Sequence, residues 1–106
     1  MTLKKRNDET PILEYPPDTI TDGAKTVTTA GTAETLVAAS TPAKIVILTA
    51  LTGNAGIMWI GGSTVADGRG VPLTPRQSVT LQIDDLQKVY LDTDNSTDGV
   101  SYVALV

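Results

Sequence analysis

The sequence predicts an all-β protein: a small antiparallel β-sandwich or jelly-roll-like barrel preceded by an extended N-terminal arm. Three observations predict it. From Lys25 onward, short apolar runs recur at the spacing of a sandwich or barrel, punctuated by Gly, Pro, Asn and Asp. No stretch sustains the 3.6-residue apolar period of a helix. Residues 1–24, MTLKKRNDETPILEYPPDTITDGA, carry no hydrophobic period at all and mix basic and acidic side chains with Pro11, Pro16 and Pro17. The expected organisation is therefore an arm over residues 1–24 and one β-domain over residues 25–106.

In the arm, each proline holds its predecessor in extended geometry and cannot donate to a ladder. The segment Glu14-Tyr15-Pro16-Pro17 thus favours a polyproline-like backbone. Fully extended, the arm reaches ~80 Å at ~3.3–3.6 Å per residue. Its substantial apolar side chains are Ile12, Leu13 and Tyr15. Two readings stand: a loose terminus, or an anchor that orders on a neighbour. On the second, Ile12, Leu13, Tyr15, Pro16 and Pro17 are the partner-binding residues.

The strand candidates follow in order: Lys25–Thr29, Ala33–Ala38, Ala43–Leu51, Gly56–Ile60, Ser78–Ile83, Lys88–Asp92 and Val100–Leu105. Ala30-Gly31, Ser40-Thr41-Pro42, Thr52-Gly53-Asn54, the loop Gly61–Gly70, Pro75-Arg76 and Asp92–Gly99 separate them. Val79, Leu81 and Ile83 alternate with Ser78, Thr80, Gln82 and Asp84, the pattern of a half-buried strand. Ile45–Leu48 and Val100–Val106 are apolar on both faces, so they are expected to meet the sandwich interior on one side and a second subunit on the other. Oligomerisation is a common remedy for so small a core.

Composition narrows the chemistry. The 106 residues contain no Cys, His or Phe. Disulfides and thiolate metal sites are excluded, as are Ser–His–Asp and Cys–His nucleophile systems. The net charge of −4 disfavours nucleic acid, which needs a concentrated basic surface. The longest apolar run, Ile45–Leu48, is far too short to span a membrane. Pro11 and Pro16-Pro17 interrupt any apolar core of a secretory signal, so a soluble protein made in the cytoplasm is expected.

Four constellations invite a functional reading. Asp92-Thr93-Asp94-Asn95-Ser96-Thr97-Asp98-Gly99 places oxygens at alternate positions, as calcium loops do. It departs from the helix–loop–helix calcium pattern at Thr97, where Gly is required, and at Val103, where Glu is required. A solvated hairpin loop between two strands is the preferred reading. Asp84-Asp85 are neighbours on an extended backbone and point to opposite faces, so they do not converge on one substrate. The loop Gly61–Gly70 lacks the Gly-Lys-Ser/Thr ending of a phosphate-binding loop. Trp59 reads as a packing centre of the core, with an exposed sugar- or partner-binding aromatic as the alternative. Trp59 and Arg69 are the candidate interface residues outside the arm. No metal, no cofactor and no catalytic step is expected.

The run Met58-Trp59-Ile60-Gly61-Gly62-Ser63 is followed by Gly70-Val71-Pro72-Leu73-Thr74-Pro75 and Ser78-Val79-Thr80-Leu81. Asp85-Leu86-Gln87-Lys88-Val89-Tyr90 and Asp98-Gly99-Val100-Ser101-Tyr102 come after it. In this order and spacing, from about Thr26 to the C-terminus, the chain resembles small β-sandwich proteins and domains of tailed-bacteriophage virions. Arg76-Gln77 stands where such proteins commonly carry Gly-Glu. The resemblance implies a non-enzymatic structural role on a capsid, neck or tail. With the arm and the acidic balance beside it, the preferred reading is a capsid decoration or cement protein, homo-oligomeric with a trimer favoured, whose partners are the major capsid protein or other virion proteins. A head–tail connector or tail component is the nearest alternative, and a host glycan- or receptor-binding module the more distant one.

Overall fold

The structure, a computed structural model, describes Leu3–Lys5 and Pro11–Leu13 as backbone and residues 17–106 in full. Ten strands are present among these residues: β1 Leu3–Lys5, β2 Pro11–Leu13, β3 Ile20–Thr26, β4 Glu34–Thr35, β5 Ile45–Ala50, β6 Met58–Gly61, β7 Val71–Leu73, β8 Ser78–Gln82, β9 Tyr90–Thr93 and β10 Gly99–Leu105. A single 3₁₀ turn, Leu86–Lys88, lies before β9.

Strands β1 and β2 pair only with each other, antiparallel, with Leu3 opposite Leu13. The other eight form two antiparallel four-stranded sheets, ordered β3-β10-β5-β8 and β4-β9-β6-β7. Their pairing is nested: β3 with β10, β4 with β9, β5 with β8, β6 with β7. A single long hairpin wound around a barrel gives this order, which is the jelly roll. The expected all-β sandwich is the observed fold.

The core follows from strand alternation. Val46, Leu48 and Ala50 of β5 point inward beside Val100 and Ala104 of β10. Met58 and Ile60 of β6, Leu73 of β7 and Leu91 of β9 meet them from the second sheet. Leu86 and Val89 close one end. Each buried Val, Leu, Ile or Met among them contributes about 1.5–3 kcal/mol on burial.

Strands β1 and β2 fall in the segment expected to be an arm, and two strands of the sandwich also differ from expectation. β3 begins at Ile20, inside the segment expected to be arm, and pairs along its whole length with β10. It lacks an apolar alternation because it is an edge strand with no fully buried residue. Its place is held by the ladder and by Tyr102, whose ring lies over Gly23; a Cβ there would stand 2.6 Å from the Tyr102 hydroxyl. Backbone contacts extend the sandwich back to Asp18, since Asp18 and Thr19 both donate N–H to the carbonyl of Val106. The other difference is β7, which lies in what reads as loop because Pro72 interrupts it. Proline is tolerated there because β7 is the edge of its sheet.

The two open sides of the sandwich are unlike. Between edge strands β3 and β4, Lys25 and Glu34 bridge the sheets at 3.0 Å, both side chains mostly buried. Between edge strands β7 and β8 lies a cleft of about 330 Å³, lined by Ile60, Val71, Leu81, Ile83 and Val89 with Gln82 and Lys88 at its rim.

Candidate functional site

The acid-rich segment Asp92–Gly99 joins β9 to β10, which lie in different sheets, so it crosses the sandwich and is not the hairpin loop expected. Its acids part company. Asp98 is 4% exposed and accepts from the N–H groups of Ala55 and Gly56, one on each oxygen, both at 2.9 Å. Asp92, also buried, accepts from the N–H groups of Gly31 and Thr93. Asp94 is exposed. The Asn95 carbonyl and Val27 carbonyl take the N–H groups of Asp98 and Thr97. The segment therefore stitches three loops together, with its inward oxygens facing N–H donors that a cation would have to displace. Among the described residues, no three His, Cys, Asp or Glu side chains converge as a metal site would need.

Asp84 and Asp85 diverge, and each has its own partner. Asp84 pairs with Lys88 at 2.8 Å, one turn on, and this carboxylate raises the ammonium of Lys88 above its ordinary value. Asp85 caps the 3₁₀ turn, accepting from the N–H groups of Thr41 and Gln87 and from the Ser40 hydroxyl. The Ser40 hydroxyl, then the two N–H groups, hold its carboxyl below the ordinary range. Neither acid is offered to a substrate shared with the other.

Glu34 is the third organised carboxylate. One oxygen accepts from the N–H groups of Thr28 and Thr29 at 2.9 Å, and the other meets Lys25. Burial works to raise its pKa, but the Thr29 N–H, the Lys25 ammonium and the Thr28 N–H outweigh it, and the net direction is down.

Trp59 is not a packing centre. Met58 and Ile60 on either side of it fill the core, so the indole stands on the outer face of the second sheet, half-buried, between Asp92 and Pro72 in register. Its Nε1 is buried without a hydrogen-bond partner. The single Trp of a small chain is easily assigned to the interior; the signal against it was the alternation with two better core side chains. Arg69 is exposed on a tight turn, where Ala66 and Arg69 exchange backbone hydrogen bonds around Asp67-Gly68. The loop ends at Gly70, with φ of +131° and no room for a Cβ against the Ile60 carbonyl, so its glycines serve a close turn.

Of the arm residues, Ile12 and Leu13 form part of β2, Tyr15 and Pro16 lie outside the described residues, and Pro17 is exposed. The feature that motif reading missed is a surface. On the outer face of the first sheet, Ile20, Leu105 and Ile45 stand side by side across β3, β10 and β5, with Val103 and Ile47 in the next row. Ile20 is 68% exposed and Val103 38%. No protein-family model, curated protein or solved structure matches this chain.

Proposed function

We propose that this protein is a non-enzymatic structural component of a bacteriophage virion, a capsid decoration or cement protein that grips the shell through its N-terminal arm. One observation carries the reading: the sandwich is complete without the arm. Its core residues run from Val27 to Ala104, and the clasp of Asp18 and Thr19 on Val106 closes the fold just after Pro17. The residues before that clasp contribute nothing to this core, and the proposal assigns them to another molecule. The rigid body displays the arm, and an arm that orders on binding can cross a boundary between neighbouring shell subunits. Several linked arms raise one another's effective concentration at the shell. The jelly roll is common in viral capsids, yet it hosts many functions. The sequence resemblance and the arm therefore bear more weight than the fold.

The test is a truncation that begins at Pro17. A cut at residue 24 would remove most of β3 and disturb the sandwich. The shortened protein is expected to melt like the full chain, yet co-sediment with capsids of the cognate phage at least about tenfold more weakly, a loss of ~1.4 kcal/mol or more. Equal binding by both forms refutes the anchor.

A further inference from the structure

The outer face of the second sheet carries a polar pocket that neither the core nor the arm uses. Part of it is a row across three strands. Thr35 of β4 stands opposite Tyr90 of β9, and Tyr90 stands opposite Gly61 of β6. Leu91 and Ile60 fill the core, so their neighbours Tyr90 and Gly61 face outward. The pocket has a volume of about 430 Å³ and is lined by Thr35, Ser63, Asp85, Gln87, Lys88 and Tyr90.

The two segments that complete this lining are fixed by contacts of their own. Val65 is buried against Gly61, where an added Cβ would stand 3.1 Å from it, and its N–H donates to the Gly62 carbonyl. That turn places Ser63 in the same pocket as Tyr90. The 3₁₀ turn supplies Gln87 and Lys88. Asp85 is tied to Ser40, Thr41 and the Gln87 N–H. The Gln87 side-chain amide donates to the Ala38 carbonyl at 3.0 Å, and Lys88 pairs with Asp84. A lining held in this way loses little freedom when a ligand arrives.

We propose that this pocket binds a neutral saccharide, a mono- or disaccharide unit held through its hydroxyls. The hydroxyls of Thr35, Ser63 and Tyr90 bond to no other group among the described residues, and none is buried without a partner, so all three are open to solvent. Each can both donate and accept. The Gln87 side-chain carbonyl adds an acceptor, and Lys88 has N–H donors beyond the one that Asp84 takes. Asp85 and Lys88 bring opposite charges to the lining, which selects neither an anion nor a cation. An aliphatic ligand would cut these groups off from water without replacing its hydrogen bonds. A sugar offers the same mixture of donors and acceptors around its ring, and Tyr90 adds an aromatic surface for its C–H groups. The volume lies at the small end of the ~300–1,000 Å³ of ligand pockets, which suits a short saccharide. The site stands apart from the arm, because its first residue is Thr35.

Titration of the full chain followed by nuclear magnetic resonance tests this. The probes are methyl glycosides of glucose, galactose, mannose and N-acetylglucosamine, together with lactose and maltose. At least one should shift the amide signals of residues 35, 63 and 87–90, with a Kd on the order of 1 mM. Thr35→Val removes one hydroxyl at nearly constant shape and should weaken that binding by about threefold or more. Ser63→Leu puts an aliphatic side chain into the pocket from an exposed loop position and should weaken it by about tenfold or more. Both variants should melt close to the parent, and Gln87→Ala replaces either one that does not. No shift with any of these sugars, shifts centred elsewhere, or undiminished binding by a folded variant overturns the proposal. So do equal shifts from glycerol, or tighter binding of inorganic phosphate. Capsid co-sedimentation reports on the arm separately, so the two ideas can fail independently.

Discussion

Replacing Asp98 by Asn tests whether the acid-rich segment is a structural clasp. The side chains are nearly isosteric, so packing is preserved and only the hydrogen bonding changes. In the parent, each oxygen meets one backbone N–H, from Ala55 and from Gly56, at 2.9 Å. An amide retains one acceptor and sets an NH₂ against the other N–H. At 4% exposure, water cannot readily take over. A hydrogen bond to a charged group contributes ~1.5–3 kcal/mol, and a stranded buried donor costs ~1–3 kcal/mol. The expected loss is therefore about 2–4 kcal/mol. For a domain of this size, at ~4–8 °C per kcal/mol, Tm should fall by roughly 10–30 °C. Thermal unfolding followed by circular dichroism measures it, with Asp94→Asn as the control. Asp94 is exposed, and its variant should stay within about 0.5 kcal/mol of the parent. A D98N protein that melts within a few degrees of the parent, or no lower than D94N, refutes the clasp.

Two further substitutions probe the strained and charged parts of the frame. Glu34 has its pKa lowered by folding, so its contribution is fully present above the ordinary glutamate value of ~4.3 and is lost as pH falls through the lower folded value. The parent should therefore lose stability more steeply than Glu34→Gln as pH falls below the ordinary glutamate value, and parallel curves would remove Glu34 from the account. Arg76 occupies the third position of the turn Thr74–Gln77 with φ of +76°, where glycine is relaxed and a side chain costs ~1–2 kcal/mol. Arg76→Gly relieves that strain against ~0.4–1 kcal/mol of added unfolded-state entropy, for a net gain between about zero and ~1.6 kcal/mol in chemical denaturation. A net loss beyond ~0.5 kcal/mol contradicts the strain argument.

The strands that could be read from the chain are those whose partners demand an apolar pattern. β8 alternates Val79 and Leu81 with Ser78, Thr80 and Gln82, and the structure buries it in that sense. β5 is apolar on both faces, and the sheet seals Val46, Leu48 and Ala50 while leaving Ile45 and Ile47 half-buried behind. Edge strands carry no such demand. β3 is positioned by its ladder and by a ring lying over Gly23, neither of which marks the local sequence. β7 was obscured by Pro72, which only an edge tolerates. The same locality explains Arg76: its departure from Gly-Glu is visible in the sequence, but the left-handed backbone that makes it costly is not.

The candidate sites were legible in inverse proportion to how far their partners lie along the chain. Asp85 caps a turn two residues away, and its role as a polar turn residue could be read locally. Asp94 and Asp98 look equivalent in sequence, yet Ala55 and Gly56, more than forty positions earlier, make one a clasp and leave the other in solvent. No motif encodes the Ile20–Leu105–Ile45 row, because its members come from three separate strands. What the sequence did carry was the two-faced apolar character of β5 and β10. Ile45, Ile47, Val103 and Leu105 stand on the back of the sheet, where neighbouring β8 places Ser78, Thr80 and Gln82. That excess underlies the expectation of a second subunit on this face, and Ile20 extends the same row onto β3.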